Sequence, residues 1–146
     1  MIEIKKNLLR TRITVTEGER AILLINGVLS GILRPGRHTF WTLRRTITCE
    51  GHAFKTPVFS SAYEQAIRLR PELMAAHFTE VRTSAAEVAV IYRDEKLHSV
   101  LGADGRAVLW TEAGPWRVET IAVPDSLEVP EQLSRRLAAF GAVDRV

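Results

Sequence analysis

Two segments of this chain repeat each other, and this internal repeat limits the folds that the sequence can adopt. Residues 12–33 align without a gap on residues 80–101, at an offset of 68 positions. One inserted residue later, GRHTFWT at 36–42 aligns on GRAVLWT at 105–111. Self-similarity over a period of this length indicates two copies of one supersecondary unit that share a core.

Each copy reads as a series of short antiparallel strands. The runs RAILLI and VAVIYR are apolar almost throughout, which suits a strand that is buried on both faces. Asn26-Gly27 follows the first run and is a strong hairpin signal. Asp94-Glu95 follows the second run and is also compatible with a turn. We therefore expect a hairpin in the middle of each copy.

A helix is predicted to close each copy. The first covers residues 59–78 and contains Pro71, which splits it or begins a second turn. The second covers residues 129–140, with Pro130 at its start. The predicted fold class is α+β, mostly antiparallel β, in two tandem repeats of about four to five short strands plus a helix. The predicted divisions are an N-terminal extension at 1–11, repeat 1 at 12–79 and repeat 2 at 80–146.

The stretch LRPGRHTFWT at 33–42 resembles a ligand loop, but the repeat favours a structural corner. Its second copy, LGADGRAVLWT, keeps the glycine, arginine and tryptophan and lacks the histidine. Gly36 and Gly105 are predicted to adopt a positive φ in this corner. Trp41 and Trp110 are predicted to anchor the strand that follows the corner in each copy.

The charge of the chain is uneven. The net charge is +3, which is too small to indicate nucleic-acid binding. Residues 1–73 contain 12 basic and 6 acidic side chains, whereas residues 74–146 contain 8 and 11. Opposite charges of this kind favour docking of the two halves, within one chain or between chains.

A cytoplasmic location is expected from the cysteine content and the hydropathy pattern. Cys49 is the single cysteine, so no internal disulfide can form, which is consistent with a reducing compartment. The first residues contain no signal-peptide core. The longest apolar stretch, AILLI at 21–25, is far shorter than the roughly 20 residues that span a bilayer.

The order of these motifs resembles the N-terminal repeats of bacterial slipins, in the stomatin/prohibitin/flotillin (SPFH, band 7) superfamily. The resemblance covers residues 12–125. In the first copy it is carried by Gly18, Glu19, Arg20, Ala21, Asn26, Gly27, Leu29, Leu33, Pro35, Gly36, Arg37, His38, Phe40 and Trp41. In the second copy it is carried by Glu87, Ala89, Asp94, Leu97, Leu101, Gly105, Arg106 and Trp110.

The resemblance implies a scaffold and not an enzyme. Slipin-like proteins oligomerise, associate with membranes and modulate partner proteins such as membrane proteases. Their motif is structural, so it transfers no catalytic residue to this chain. The sequence contains the repeat module without a full band 7 domain, a hydrophobic hairpin or a heptad run. An interaction or assembly module is therefore expected.

One alternative function rests on the motif CEGH. Cys49 and His52 have a Cys-x-x-His spacing, which occurs in zinc sites and in nucleophile–base pairs. Completion of a zinc site would require further ligands, for which His38, His77 and His98 are the candidates. This alternative is a small cytosolic metal-binding protein or hydrolase. The corresponding stretch of the second copy, IAVP, contains none of these residues.

A second alternative rests on a cluster of arginines. Their guanidinium groups would bind anionic lipid or the phosphates of nucleic acid. The sequence contains neither a Walker-type phosphate loop nor a dinucleotide fingerprint. The arginines are Arg34, Arg37, Arg44 and Arg45.

The first hypothesis is a non-catalytic scaffold or adaptor that acts through self-association and protein–protein binding. Its aromatic anchors are predicted to be Phe40, Trp41, Trp110 and Trp116. We expect a homo-oligomer, including one formed by exchange of elements between chains, and an unidentified protein partner. Peripheral contact with the inner face of the membrane is compatible with this hypothesis. No cofactor and no nucleic-acid partner are expected.

Overall fold

The computed structural model of the chain describes residues 1–123, which divide after His77 into unit 1 and unit 2. Antiparallel strands account for 54% of the described residues and helices for 12%. The predicted class, mostly antiparallel β with a minor helical part, is therefore confirmed. The helix predicted at 129–140 lies outside the described residues.

Unit 1 contains six strands that form two antiparallel sheets of three. One sheet has the order β1-β2-β5 and the other has the order β4-β3-β6. The strands are β1 (Glu3–Lys6), β2 (Arg10–Val15), β3 (Glu19–Ile25), β4 (Val28–Leu33), β5 (Gly36–Trp41) and β6 (Ile47–Ala53).

The two sheets of unit 1 pack face to face. Ile13 and Val15 from β2 meet Ala21 and Leu23 from β3, and Ile47 from β6 completes this buried cluster. Residues i and i+2 of a strand share a face, which is why alternate residues of β2 and β3 enter the same core. Partly buried residues close its margin, namely Ile2, Ile25, Leu33, Phe40 and Cys49.

The opposite face of β3 is also buried. Ile22 is fully buried and Leu24 nearly so. The segment after β6 returns along this side of the sheet, since Phe54 lies against the Arg20 guanidinium and Phe59 against the His52 ring. The apolar run RAILLI is therefore a strand that is covered on both faces, as its composition predicts.

Two short helices follow in unit 1, where the sequence predicts one segment. The first, α1, covers Glu64–Arg68 and the second, α2, covers Pro71–His77. Pro71 begins α2, because a proline is tolerated in the first turn of a helix and not in its interior. The helical segment predicted to begin at residue 59 starts five residues later, since Phe59 and Ser61 contact β6 instead.

Unit 2 contains five strands and one 3₁₀ turn. Within the part of the chain that the structure describes, β7 and β10 form a two-stranded sheet, and a second sheet has the order β11-β8-β9. The core consists of Val81, Ala89, Ile91, Leu101 and Leu109, with Ala107 and Trp116 packed against it. The elements are β7 (Phe78–Arg82), β8 (Glu87–Arg93), β9 (Lys96–Leu101), β10 (Arg106–Trp110), the turn Thr111–Ala113 and β11 (Trp116–Ala122).

Both predicted hairpins form, and each requires two residues with positive φ. Asn26 and Gly27 have φ values of 54° and 78° in the β3–β4 hairpin. Asp94 and Glu95 have φ values of 51° and 62° in the β8–β9 hairpin. Two adjacent positive φ angles are typical of the type I′ turn, which matches the twist of the flanking strands.

The prediction for the corner glycines is right at one position and wrong at the other. Gly36 has a φ of 133°, as expected. In the second corner it is Asp104, with a φ of 53°, that adopts the positive angle instead of Gly105. Gly105 is required for a different reason, because a Cβ there would lie 2.7 Å from the Leu101 side chain and 2.8 Å from the Gly102 carbonyl oxygen.

Each hairpin contains a β-bulge in its second strand. In unit 1 Leu23 lies opposite Gly31 and Leu24 opposite Leu29, so Ser30 has no partner across the strands. The Ser30 carbonyl instead accepts a hydrogen bond from Arg70 Nη1 at 2.8 Å. In unit 2 the corresponding extra residue is His98, whose ring lies edge-on to Trp116.

Strand β1 was not predicted, because residues 1–11 were interpreted as an extension outside the repeat. It pairs with β2 over its whole length, with Ile4 opposite Ile13. Within the described residues, none of the helices combines the length and the apolar composition needed to cross a membrane.

The hairpin of unit 2 carries a cost that a glycine would remove. Glu95 holds a left-handed conformation that costs a residue with a Cβ roughly 1–2 kcal/mol. We expect Glu95→Gly to raise the free energy of unfolding by about 1 kcal/mol, measured by urea denaturation with circular dichroism. Gly27→Ala is the matched control and should lower it by a similar amount. Destabilisation by Glu95→Gly would mean that the Glu95–Arg117 ion pair outweighs the backbone cost.

Candidate functional site

The outer face of the sheet β1-β2-β5 carries a concentration of positive charge. In β2 the buried residues Thr11, Ile13 and Val15 alternate with exposed ones. Arg10 and Arg12 therefore point away from the core, because successive side chains of a strand lie on opposite faces. The basic character of this face follows directly from the alternating sequence RTRITV.

Strand pairing brings residues that are distant in the sequence into one row across this face. Lys5 of β1 lies opposite Arg12 of β2, and Arg12 lies opposite Thr39 of β5. Arg10 lies opposite Trp41 in the neighbouring row. We call the outward-facing set Lys5, Arg10, Arg12, Arg37, Thr39 and Trp41 the basic face.

A shallow pocket of about 250 Å³ lies at the end of the basic face, next to the β1–β2 turn. Asn7 shapes this turn, since its Oδ1 accepts hydrogen bonds from the backbone N–H groups of Leu9 and Arg10 at 2.9 and 2.8 Å. No carboxylate lines the pocket. Its lining consists of Lys5, Lys6, Asn7, Arg10, Arg12 and Thr39.

The positive charges in this pocket are poorly compensated. Lys5 forms an ion pair with Glu3 at 3.3 Å. Within residues 1–123, Lys6 and Arg12 form no ion pair. The direct opposition of Lys5 and Arg12 is itself unfavourable, because like charges facing each other across two strands are destabilising. The arrangement is suited to an anion, which would neutralise both side chains.

Trp41 lies beside this pocket and is accessible. Its side chain is 58% exposed, and the Arg10 guanidinium stacks over its ring at 5.0 Å from the centroid. A second, smaller pocket of about 110 Å³ is lined by Arg10, Thr39, Phe40 and Trp41. The two pockets share Arg10 and Thr39, so a charged recess continues into an aromatic one.

Exposed apolar side chains gather at the same end of unit 1. Leu8 is 91% exposed and Leu43 is 63% exposed, and Leu9 and Trp41 are also largely accessible. Their two turns are held together, since the Thr42 backbone N–H donates to the Leu9 carbonyl at 2.9 Å. We call Leu8, Leu9, Trp41 and Leu43 the apolar end. Isolated exposed leucines are ordinary, whereas a cluster of them marks a contact surface.

The four arginines that the sequence singled out do not form one cluster. Arg34 and Arg37 lie at the beginning of β5, and Arg44 and Arg45 lie beyond its end. Arg45 Nε donates to the Trp41 carbonyl at 2.8 Å, which fixes the turn after β5. The basic residues that share one face are instead Lys5, Arg10 and Arg12, which no motif of the sequence singles out.

Of the four predicted aromatic anchors, Trp116 is partly buried against the core of unit 2, and the three others have different environments. Phe40 is partly buried and packs against the core of unit 1. Trp110 is 1% exposed and lies against Phe78 at 4.5 Å between ring centroids, so it is a core residue. Trp41 alone of the three presents an open surface.

Cys49 and His52 point to opposite faces of β6. Cys49 packs against the core cluster of unit 1. His52, three residues later on the same strand, contacts Glu50 and Phe59 on the other side. A Cys-x-x-His spacing brings the two side chains together in a turn or helix, but a strand of period two separates them. The structure therefore does not assemble the predicted Cys–His pair.

The polar side chains of Glu50, His52 and Ser61 contact one another. The Glu50 carboxylate lies 2.6 Å from His52 Nε2 and accepts a hydrogen bond from Ser61 Oγ at 2.6 Å. His38, a suggested further zinc ligand, has its Nε2 2.8 Å from the Arg34 carbonyl oxygen. Among the residues that the structure describes, no group of three or more His, Cys, Asp or Glu side chains is placed to hold a metal ion.

Comparison with known proteins gives no relative: no family model, curated protein or solved structure matches this chain.

The opposition of Lys5 and Arg12 predicts a gain in stability when Arg12 is replaced. Arg12→Thr removes the like-charge contact and places a residue of high strand propensity between Lys5 and Thr39. We expect the free energy of unfolding to rise by about 0.2–1 kcal/mol at low salt, and less at high salt. Urea denaturation measures both values.

Arg37→Thr is the control for this substitution. Arg37 lies on the same face and faces Thr14 instead of a cation, so the same change of charge should alter stability less. An equal gain in both variants would show that total charge, and not the Lys5–Arg12 contact, sets the effect.

The surroundings of Cys49 predict that its thiol reacts slowly with alkylating reagents. Burial raises the pKa of Cys49, and the positive charge of Lys6 offsets this rise only in part. Because the thiolate is the reacting form, alkylation by iodoacetamide near pH 8 should be slower in the native protein than in urea. The native rate should keep rising as the pH increases beyond the usual range of a thiol. A native rate at or above the urea rate would indicate an activated cysteine.

Proposed function

We propose that this protein is a non-catalytic scaffold or adaptor module that associates with itself and binds another protein. The observation that supports this proposal is the apolar end of unit 1. It presents three leucines and a tryptophan on two adjoining turns, with Leu8 91% and Leu43 63% exposed. Burial of each such side chain in an interface contributes about 1.5–3 kcal/mol, which offsets part of the entropy cost of association.

The surroundings of the apolar end suit a protein contact. Trp41 combines a large apolar area with little conformational freedom, and tryptophan is common among residues that dominate interface energies. Arginines border the cluster at Arg10, Arg44 and Arg45, and arginine is also enriched in interfaces. An acidic partner surface would complement this border.

We further propose that unit 1 and unit 2 are two copies of one structural unit. Strands β3 and β8 begin and end 68 residues apart, and so do β4 and β9. The bulges fall at equivalent positions, between Leu23 and Leu24 and between Ile91 and Tyr92. The strand pairings within each unit also correspond, since β2 pairs with β5 as β7 pairs with β10.

A module of this kind would act as slipin N-terminal repeats are expected to act, as an assembly element. Membership of that group is part of the proposal and rests on the motifs of residues 12–125. A cytoplasmic location with contact to the inner face of the membrane also belongs to the proposal. The neighbouring exposed leucines and basic side chains are compatible with such a location.

Polar substitutions in the apolar end should weaken self-association. In the double variant Leu8→Ser/Leu43→Ser, two exposed leucines are replaced without disturbing the core. We expect the wild-type mass to rise with concentration towards a dimer or larger assembly. The double variant should weaken association by more than about tenfold, since each buried leucine contributes about 1.5–3 kcal/mol. Light scattering across a dilution series measures both proteins.

Val58→Ser/Leu69→Ser is the matched control. Both residues are exposed apolar side chains of unit 1, and they lie in the segment after β6, away from the two turns of the apolar end. This variant should associate as the wild type does. A monomeric wild type at every concentration, or an equal loss in both double variants, would contradict self-association through the apolar end.

A further inference from the structure

We infer that the pocket at the β1–β2 turn is a binding site for a phosphate ester. The phosphate would lie among Lys5, Arg10 and Arg12, and the organic part would extend towards Trp41. This site shares Trp41 with the apolar end, but its other lining residues are mostly basic or polar, and a phosphate ligand goes beyond the proposed binding of proteins. It predicts a ligand for a surface to which the motifs of the sequence assign none.

The charge of the pocket selects an anion. Four basic residues and no carboxylate line a recess of about 250 Å³, and three of these residues, Lys5, Arg10 and Arg12, belong to the outer face of the sheet. At a share of about 30 Å³ per water molecule in the liquid, this volume corresponds to about eight waters, enough for a phosphate group with part of its ester. Arginine and lysine donate charge-assisted hydrogen bonds to phosphate oxygens, and the planar guanidinium can do so through two parallel bonds.

The cross-strand register explains why a dianion is favoured. Lys5 and Arg12 face each other directly, so each raises the cost of the other's charge. A phosphate between them would convert this repulsion into two attractions. Arg12 forms no ion pair within residues 1–123, so it need not break one to bind the ligand, whereas Lys5 would exchange the Glu3 carboxylate at 3.3 Å for the phosphate.

The adjoining recess indicates what the rest of the ligand would be. Arg10 and Thr39 line both pockets, and the second pocket adds Phe40 and Trp41. The exposed indole of Trp41 offers an apolar surface, and its ring centroid lies 5.0 Å from the Arg10 guanidinium. Inorganic phosphate would use only the first recess, whereas an ester with an apolar or planar group would use both.

Such an ester has two sources, a soluble organic phosphate or the headgroup of a phospholipid. Two arms of one experiment distinguish them, with the full chain in both. In the first arm, isothermal titration calorimetry at constant ionic strength compares phenyl phosphate with inorganic phosphate. In the second arm, co-sedimentation compares vesicles of phosphatidylcholine alone with vesicles that also contain phosphatidate.

We expect the wild type to bind phenyl phosphate more tightly than inorganic phosphate, or to bind phosphatidate vesicles and not phosphatidylcholine alone. Arg12→Thr should weaken that binding by at least about tenfold, because hydrogen bonds to charged groups contribute about 1.5–3 kcal/mol. This variant is expected to be more stable than the wild type, so a loss of binding would not reflect unfolding. Arg37→Thr carries the same change of charge outside the pocket and should stay within about threefold of the wild type.

Two results would overturn the inference. The first is absence of binding in both arms. The second is an equal loss in Arg12→Thr and Arg37→Thr, because general attraction to a positive surface would then account for the binding.

Discussion

Burial of both faces of β3 holds unit 1 together. One face contributes Ala21 and Leu23 to the core between the sheets, and the other buries Ile22 and Leu24. The strand also has a partner along each edge, β4 on one side and β6 on the other. Every other element of unit 1 is placed relative to this strand. In unit 2 the middle strand β8 has the same role, with Ala89, Val90 and Ile91 all buried.

The outer face of the sheet β1-β2-β5 does not take part in the core of unit 1. The sheet β1-β2-β5 covers the core with its inner face, so the core places no packing requirement on the side chains of its outer face. On this face Lys5 and Arg12 place two cations opposite each other, at a cost in stability. Positions where local stability is sacrificed are often functional, since selection for binding opposes selection for stability. The basic face is therefore unusual in its side chains, although the strands that carry it pair in a regular antiparallel register.

The middle strands and the hairpin turns could be predicted from the sequence, because each depends on residues that are adjacent in the chain. RAILLI and Asn26-Gly27 carry their signal locally, and so does Gly36. Features that depend on register could not be predicted. The pocket joins Lys5 to Thr39, and only the pairing of three strands brings these residues together. The alternation of Arg10 and Arg12 with buried residues of β2 indicates an exposed basic face. The strand that pairs with β2 at this face, β1, lies in residues 1–11, for which the sequence predicts only an extension. The prediction of a positive φ at Gly105 is wrong, because the role of this glycine depends on its contact with Leu101. The alternative built on Cys49 and His52 is not assembled, because the strand period of β6 separates the two side chains. The slipin resemblance and the scaffold function stay predictions.

The bulges at Ser30 and His98 bear on how the edges of two sheets resist pairing with a strand of another molecule. Strands β4 and β9 lie at the edges of their sheets, and an edge strand with free backbone groups can recruit a strand from another molecule. An unpaired extra residue bends the strand and interrupts the regular spacing of its N–H and C=O groups. A straight foreign strand could then pair with only a few residues before the spacing fails. The irregularity that gives Arg70 its carbonyl acceptor thus also guards this edge against amyloid-like stacking.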